Sequence, residues 1–143
     1  MPNPVSGPLN RALHGLSYGM SNDQRRMEIA TENFINANTT ASQPGGDPYR
    51  RKITSYTAQF DPNVGKKIYQ LQEQRDSSEF LTEYDPTHPA ADANGMVKKP
   101  NINPMMESVD FQKAGVDHQA KVEAYKTISR TIHNTIGLMD PNR

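Results

Sequence analysis

The chain has 143 residues, 16 basic and 16 acidic side chains, no cysteine and no tryptophan. Balanced charge leaves no electrostatic footprint for nucleic acid or an anionic membrane. The absence of thiols excludes disulfides, thiolate metal sites and cysteine nucleophiles. Apolar residues make up 34%, below the roughly 45–50% of an ordinary domain (a figure that also counts glycine), so the composition predicts only a small core. No stretch approaches the roughly 20 apolar residues of a membrane span. The first eight residues lack the charged head and apolar run of a secretory signal. Composition alone therefore predicts a soluble chain that is not exported by a cleaved signal.

Pro4, Gly7 and Pro8 delay the first helix to about Pro8, where a first-turn proline is tolerated. From there Leu9, Leu13, Leu16, Met20, Met27, Ala30, Phe34 and Ala37 follow alternating steps of four and three, interrupted only by Asp23. That is the heptad spacing of a coiled-coil seam. The helix is predicted to reach about Asn38, roughly 45 Å at 1.5 Å per residue. Gly15 and Gly19 lie four apart on one face. They either admit a neighbouring helix or weaken this half by up to about 1 kcal/mol each. Ser21-Asn22-Asp23-Gln24 has the form of a capping box, so the helix could restart near Met20.

Residues 36–47 read as a loop, with Pro44-Gly45-Gly46 at its end. Ile53 to Phe60 alternates Tyr56, Ala58 and Phe60, and Asp61-Pro62-Asn63-Val64-Gly65 is turn chemistry. Lys67 to Gln72 and Glu79 to Tyr84 complete a small antiparallel element, expected as a hairpin with an added strand. The basic runs Arg50-Arg51-Lys52, Lys66-Lys67 and Lys98-Lys99 read as solvated strand ends or turn flanks. Residues 85–104 hold four prolines and should form an extended connector without helix. Asn103-Pro104 then opens the last helix, with Asn as cap and Pro at the first helical position. Glu107 and Asp110 sit in its early turns, favourable to the helix dipole. Its stripe is Val109, Val116, Ala120, Ala124, Ile128, Ile132, Ile136 and Met139, and Asp140-Pro141 should close it after about Gly137.

Little in the chain carries chemistry. His14, His88, His118 and His133 are scattered, and none has a ligand partner at i+4. His88 with Asp85 and Asp92 is the nearest approach to a metal cluster, but the flanking Pro86 and Pro89 favour a turn held by side-chain hydrogen bonds. Glu79, Glu83 and Asp85 have no apolar surroundings to raise a pKa, so they read as solvated charges rather than acid–base groups. Phosphate loops, dinucleotide fingerprints and nucleophile elbows are all missing from the sequence. No catalytic, cofactor-binding or metal residue is assigned. Met20, Met27, Met105 and Met106 could form an adaptable binding surface, although helix core is the plainer role at each. The two stripes admit either a self-contained hairpin of the ends or packing between subunits. The second is favoured because one pair of helices buries only part of each stripe.

The run Tyr84-Asp85-Pro86-Thr87-His88-Pro89-Ala90-Ala91-Asp92-Ala93-Asn94-Gly95-Met96-Val97, followed by Pro100-Asn101-Ile102-Asn103-Pro104, has a recognisable form. It resembles the signature before the last helix of the FlgC family, the proximal-rod members of the bacterial flagellar rod and hook axial proteins. Ala30-Thr31-Glu32-Asn33-Phe34-Ile35-Asn36-Ala37-Asn38-Thr39-Thr40 resembles the motif that ends the first helix in axial proteins generally. Asp47-Pro48-Tyr49-Arg50-Arg51 is similar to the family's Pro-Tyr-Arg lead into its middle segment. The resemblance covers nearly the whole chain in order. One departure lies in the last helix, where the family usually carries Arg-Ser-Tyr-x-Ala-Asn. Here the stretch is Gly115 to Lys121, with His118 and Lys121 in place of Tyr and Asn.

The resemblance implies a mainly α fold. Long terminal helices would pair as a coiled-coil-like hairpin, with a small antiparallel β element and a Pro-rich extended connector between them. The expected divisions are 1–38, an N-terminal axial helix; 39–104, the loop, β element and connector; and 105–143, a C-terminal axial helix. The implied function is a structural subunit of the proximal rod, exported unfolded without a cleaved signal and built into the periplasmic shaft. Subunit packing would fall on Leu9, Leu13, Leu16, Met20, Met27, Phe34, Val109, Val116, Ile128, Ile132 and Ile136. Expected partners are other copies of the chain and other rod proteins, with the basal-body membrane ring and a rod-junction protein as further candidates. Nucleic acid and small-molecule substrates are not expected. The alternative is a freestanding coiled-coil adaptor or export chaperone folded in the cytoplasm.

Overall fold

The computed structural model describes residues 7–138. The expectations for Pro4, Met139 and Asp140-Pro141 lie outside the described residues. Element order is α1 (Pro8–Ile35), β1 (Lys52–Asp61), β2 (Lys66–Arg75), β3 (Leu81–Tyr84), β4 (Met96–Lys99) and α2 (Pro104–Leu138). The fold is therefore mixed, with two paired helices and two small antiparallel sheets. Helix α1 starts at the expected proline and runs unbroken through Ser21–Gln24, so the capping-box sequence there does not restart it. At α2 the cap forms as expected, the Asn103 Oδ1 accepting from the backbone N–H of Met105 at 3.0 Å and of Met106 at 3.4 Å.

The strands depart from expectation. β1 pairs with β2 alone, and β3 does not extend that hairpin. Instead β3 pairs antiparallel with β4, in the register Leu81↔Lys99, Thr82↔Lys98, Glu83↔Val97 and Tyr84↔Met96. The segment expected as a plain connector thus supplies a strand between Gly95 and Pro100. The physical reason is local. Three backbone bonds fold the block back on itself: Asp85 N–H to Gly95 O at 2.9 Å, Asp92 N–H to Met96 O at 2.9 Å and Gly95 N–H to Asp92 O at 3.0 Å.

The chain divides into two compact units. Among the described residues, unit 1 comprises 7–25, 56–71 and 114–138. Its buried apolar residues are Ile68 and Ala114, beside the buried polar Asp23 and Asp61. The turn after β1 is tied to α1 by the Tyr18 hydroxyl, which donates to Asp61 Oδ2 at 2.6 Å. Asp61 Oδ1 also accepts from the N–H groups of Asn63 and Val64, closing the turn. The Tyr18 bond first, then these two N–H groups, hold the Asp61 carboxyl below its usual range. The bond to Asp61 first, then burial, raises the Tyr18 phenol. Asn22 of α1 lends β2 a substitute neighbour, donating to Tyr69 O at 2.6 Å and accepting from Leu71 N–H at 3.2 Å. That satisfies backbone groups which an isolated hairpin would leave exposed.

Unit 2 comprises residues 26–55 and 72–113. Ile29, Ala30, Ala37, Ala90, Val97, Pro100 and Ile102 are buried in it, together with Asn33 and Glu107. Arg50 caps the segment after β2, donating to Asp76 O and Ser78 O while its guanidinium lies 4.0 Å from the Phe80 ring centroid. Among the described residues no helix is long and apolar enough to cross a membrane.

Candidate functional site

In unit 2 the two helices meet at a buried amide. Asn33 lies on α1, four residues after Ile29, and is 1% exposed. Its Nδ2 donates to Lys52 O at 2.8 Å and to Glu107 Oε2 at 3.0 Å. Its Oδ1 accepts from Lys52 N–H at 2.9 Å and from the Tyr49 hydroxyl at 3.1 Å. An asparagine side chain has two donors and two acceptor sites, so all four are filled. One residue thereby bonds α1, the start of β1 and the first turn of α2.

Glu107 is 2% exposed, and its second oxygen accepts from Arg51 Nε at 2.7 Å. Arg51 also approaches Asp76 at 3.9 Å. Beside the same strand start, Lys52 is held by Glu32 and by Glu73, the latter at 3.0 Å, and these two bonds raise its ammonium pKa. Burial raises the Tyr49 phenol, consistent with a hydroxyl that donates inward. No buried side-chain nitrogen or oxygen among the described residues lacks a partner.

In unit 1 the helices are joined by a second polar contact. Lys121 of α2 reaches the buried Asp23 at 2.6 Å, and His118 Nδ1 lies 3.3 Å from Met20 O. The stem of Lys121 crosses α1 at Gly19, where an added Cβ would come within 2.8 Å of its Cδ and Cε. Gly19 thus admits a close approach by the helix partner. His118 and Lys121 thus both reach α1 from within the Gly115–Lys121 stretch.

The expected packing residues distribute unevenly. Leu13, Leu16, Met20, Met27, Ile128 and Ile132 are half-buried. Leu9, Phe34 and Val109 are exposed, as are Val116 at 71% and Ile136 at 64%. Around Phe34, in unit 2, Ala30, Thr31, Glu107, Ser108 and Phe111 line a shallow cleft. The signature residues act differently. Asp85 Oδ1 accepts from Thr87 N–H and Oγ1, an arrangement that lowers its carboxyl pKa. His88 Nδ1 accepts from Ala90 N–H at 3.0 Å, and Asp92 Oδ1 accepts from the N–H groups of Asn94 and Met96. Each side chain of the Asp85, His88 and Asp92 trio therefore closes a turn. Among the described residues no three His, Asp or Glu side chains are arranged to hold a metal ion.

In the sequence Glu107 reads only as a helix-dipole residue, Asp23 as a break in a stripe, and Asn33 as part of the motif that ends the first helix. The one available signal is Asp23, the polar residue at a seam position of α1.

No family model matches the chain. It is 35% identical to the flagellar basal-body rod protein FlgC of Agrobacterium fabrum, over 92% of this chain and 96% of that protein. The chain belongs to the FlgC family. Its likeness to the FlgC of Bacillus subtilis is 34% identity over 79% of this chain and 88% of that one. For Salmonella typhimurium FlgC the figures are 31%, 80% and 85%. As a FlgC-family member the chain is a structural subunit of the flagellar basal-body rod.

Proposed function

We propose that this FlgC-family chain pairs its terminal helices within one subunit and turns their remaining apolar faces to neighbouring rod subunits, so that the interlocked helices carry torque. The observation that carries the reading is the division of labour along α2. Glu107, Ala114, His118 and Lys121 face α1 or are buried, while Val109, Val116 and Ile136 stay exposed. Contacts of this kind are heterologous, and heterologous contacts that do not close build filaments. In this reading the terminal helices (1–38 and 105–143) form a coiled-coil-like hairpin. The Pro-rich segment within residues 39–104 is a stiff strap against adjacent subunits. Other copies and other rod proteins are the partners, with the membrane ring and a rod-junction protein at the ends. The subunit works in the periplasmic part of the rod, reaching it as an unfolded chain. Unpartnered stripes favour that state, since ordering costs about 1–2 kcal/mol per residue.

The test is incorporation into basal bodies. Val116→Glu should abolish incorporation and swimming, whereas Gln119→Glu, on an exposed polar position of the same helix, should leave both unchanged. A Val116→Glu chain that assembles at the parent level overturns the proposal.

A further inference from the structure

Asn94 is the only asparagine of the chain followed by glycine. In such a pair the glycine nitrogen has no side chain to shield it from the neighbouring side-chain amide carbon. Asn94 is exposed, but the turn around it in unit 2 engages the attacking nitrogen. Gly95 N–H donates to Asp92 O at 3.0 Å. Asp92 Oδ1 accepts from Asn94 N–H at 2.8 Å and Met96 N–H at 2.9 Å. Gly95 is buried at φ +77°, and a Cβ on it would lie 2.9 Å from Tyr84 Cε2 and 3.0 Å from Pro86 Cβ. The peptide plane is thus packed as well as bonded.

We infer that Asn94 is a site of spontaneous deamidation that the folded turn keeps closed and loss of the turn opens. Gly95 N gives its proton to hydroxide and attacks Asn94 Cγ. The Cγ–Nδ2 bond breaks, and the amide nitrogen takes a proton and leaves as ammonia. Water then opens the five-membered succinimide at either carbonyl, giving aspartate or isoaspartate at position 94. No oxidant or reductant is involved. In the fold, attack requires the Gly95 N–H to leave Asp92 O and the buried glycine to rotate beneath Tyr84, which amounts to opening the turn.

The consequence is directional. Isoaspartate adds a backbone methylene two residues before Met96, the residue in register with Tyr84. A chain converted to isoaspartate while unfolded cannot rebuild the β3–β4 register, whereas a chain already folded is protected. The site therefore selects against chains held unfolded too long.

The full-length chain, incubated in mildly alkaline native buffer and in concentrated urea, would be digested and isoaspartate at position 94 quantified by mass spectrometry. Conversion in native buffer should be at least about tenfold slower, equivalent to about 1.4 kcal/mol of turn closure. Asp92→Ala should bring the native rate toward the denatured one. If that variant does not fold, the comparison made on the parent chain still decides. Equal rates in the two conditions, or a denatured chain that converts another asparagine before Asn94, overturn the inference.

Discussion

Asn33→Ala removes a side chain that bonds α1, the start of β1 and α2 at once. The truncation strips partners from the Lys52 N–H and C=O, from the Tyr49 hydroxyl and from one Glu107 oxygen. A buried donor or acceptor left unmade costs about 1–3 kcal/mol. Tyr49 is half-buried and can turn to water, and Glu107 keeps Arg51, so most of the loss falls on the two Lys52 backbone groups. The expected destabilisation is about 3 kcal/mol, in the upper part of the range for single substitutions. With a urea slope of about 1–3 kcal/mol per molar, the unfolding midpoint should fall by roughly 1–3 M at unchanged slope, as followed by circular dichroism. Asn33→Asp keeps the shape but puts a carboxylate oxygen against Glu107 and the Lys52 carbonyl, and should cost at least as much at neutral pH. The reasoning fails if Asn33→Ala loses less than about 0.5 kcal/mol, the scale of an ordinary surface change.

Three further outcomes follow from other parts of the structure. Lys121→Met keeps the stem over Gly19 but removes the 2.6 Å bond to Asp23, and should cost about 1–3 kcal/mol in the same urea experiment. Gly95→Ala forces a β-carbon into a left-handed backbone beneath Tyr84, so a loss of about 1–2 kcal/mol from conformation alone is expected, plus the clash. Thermal melts against the parent chain would measure it. Asp61, Asp76 and Asp85 all have carboxyl pKa values lowered by hydrogen bonds, from Tyr18, Ser78 and Thr87 first in each case. Lowered values mean stability present above the unfolded value of 3.8 and lost as pH falls through the folded values beneath it. An acid titration by circular dichroism should therefore show unfolding that begins below about pH 4 and is shifted to higher pH by Tyr18→Phe.

Signals that act over a few residues are legible in the sequence. Pro8 and Asn103-Pro104 mark the helix starts because a proline needs no partner for its nitrogen, and the Asn103 cap is satisfied by the second and third residues after it. The turn at Asp61–Gly65 is likewise closed by Asp61 itself. The partner of β3 was not legible in this way. β4 has four residues, no clean alternation and a proline beside it, and it exists because Asp92 folds the chain back. The polar seam was hidden for a different reason. Asn33 and Glu107 stand 74 positions apart, and Asp23 and Lys121 stand 98 apart. Asp23 in the heptad looks like an interruption until Lys121 is placed beside it, and Asn33 lies off the stripe altogether. The apolar stripe on α2 was real as a pattern, but part of it faces solvent in the single subunit.

That inversion has a physical logic. Buried polar pairs add little net stability over an apolar contact of the same shape, but they penalise every misaligned alternative by leaving a charge or amide unpaired. A seam built on Asn33–Glu107 in one unit and Asp23–Lys121 in the other therefore fixes register within each unit more than it supplies folding energy. Apolar contact works the opposite way, being strong but indifferent to register. In the proposed packing, Val109, Val116 and Ile136, exposed in the single subunit, would be covered only by a neighbour. Their hydrophobic gain, roughly 25 cal/mol per Å² of apolar surface buried, would then go to the assembled rod. A Val116→Ala chain should follow the same division, losing little as an isolated subunit and measurably more in the force or denaturant needed to dismantle the rod.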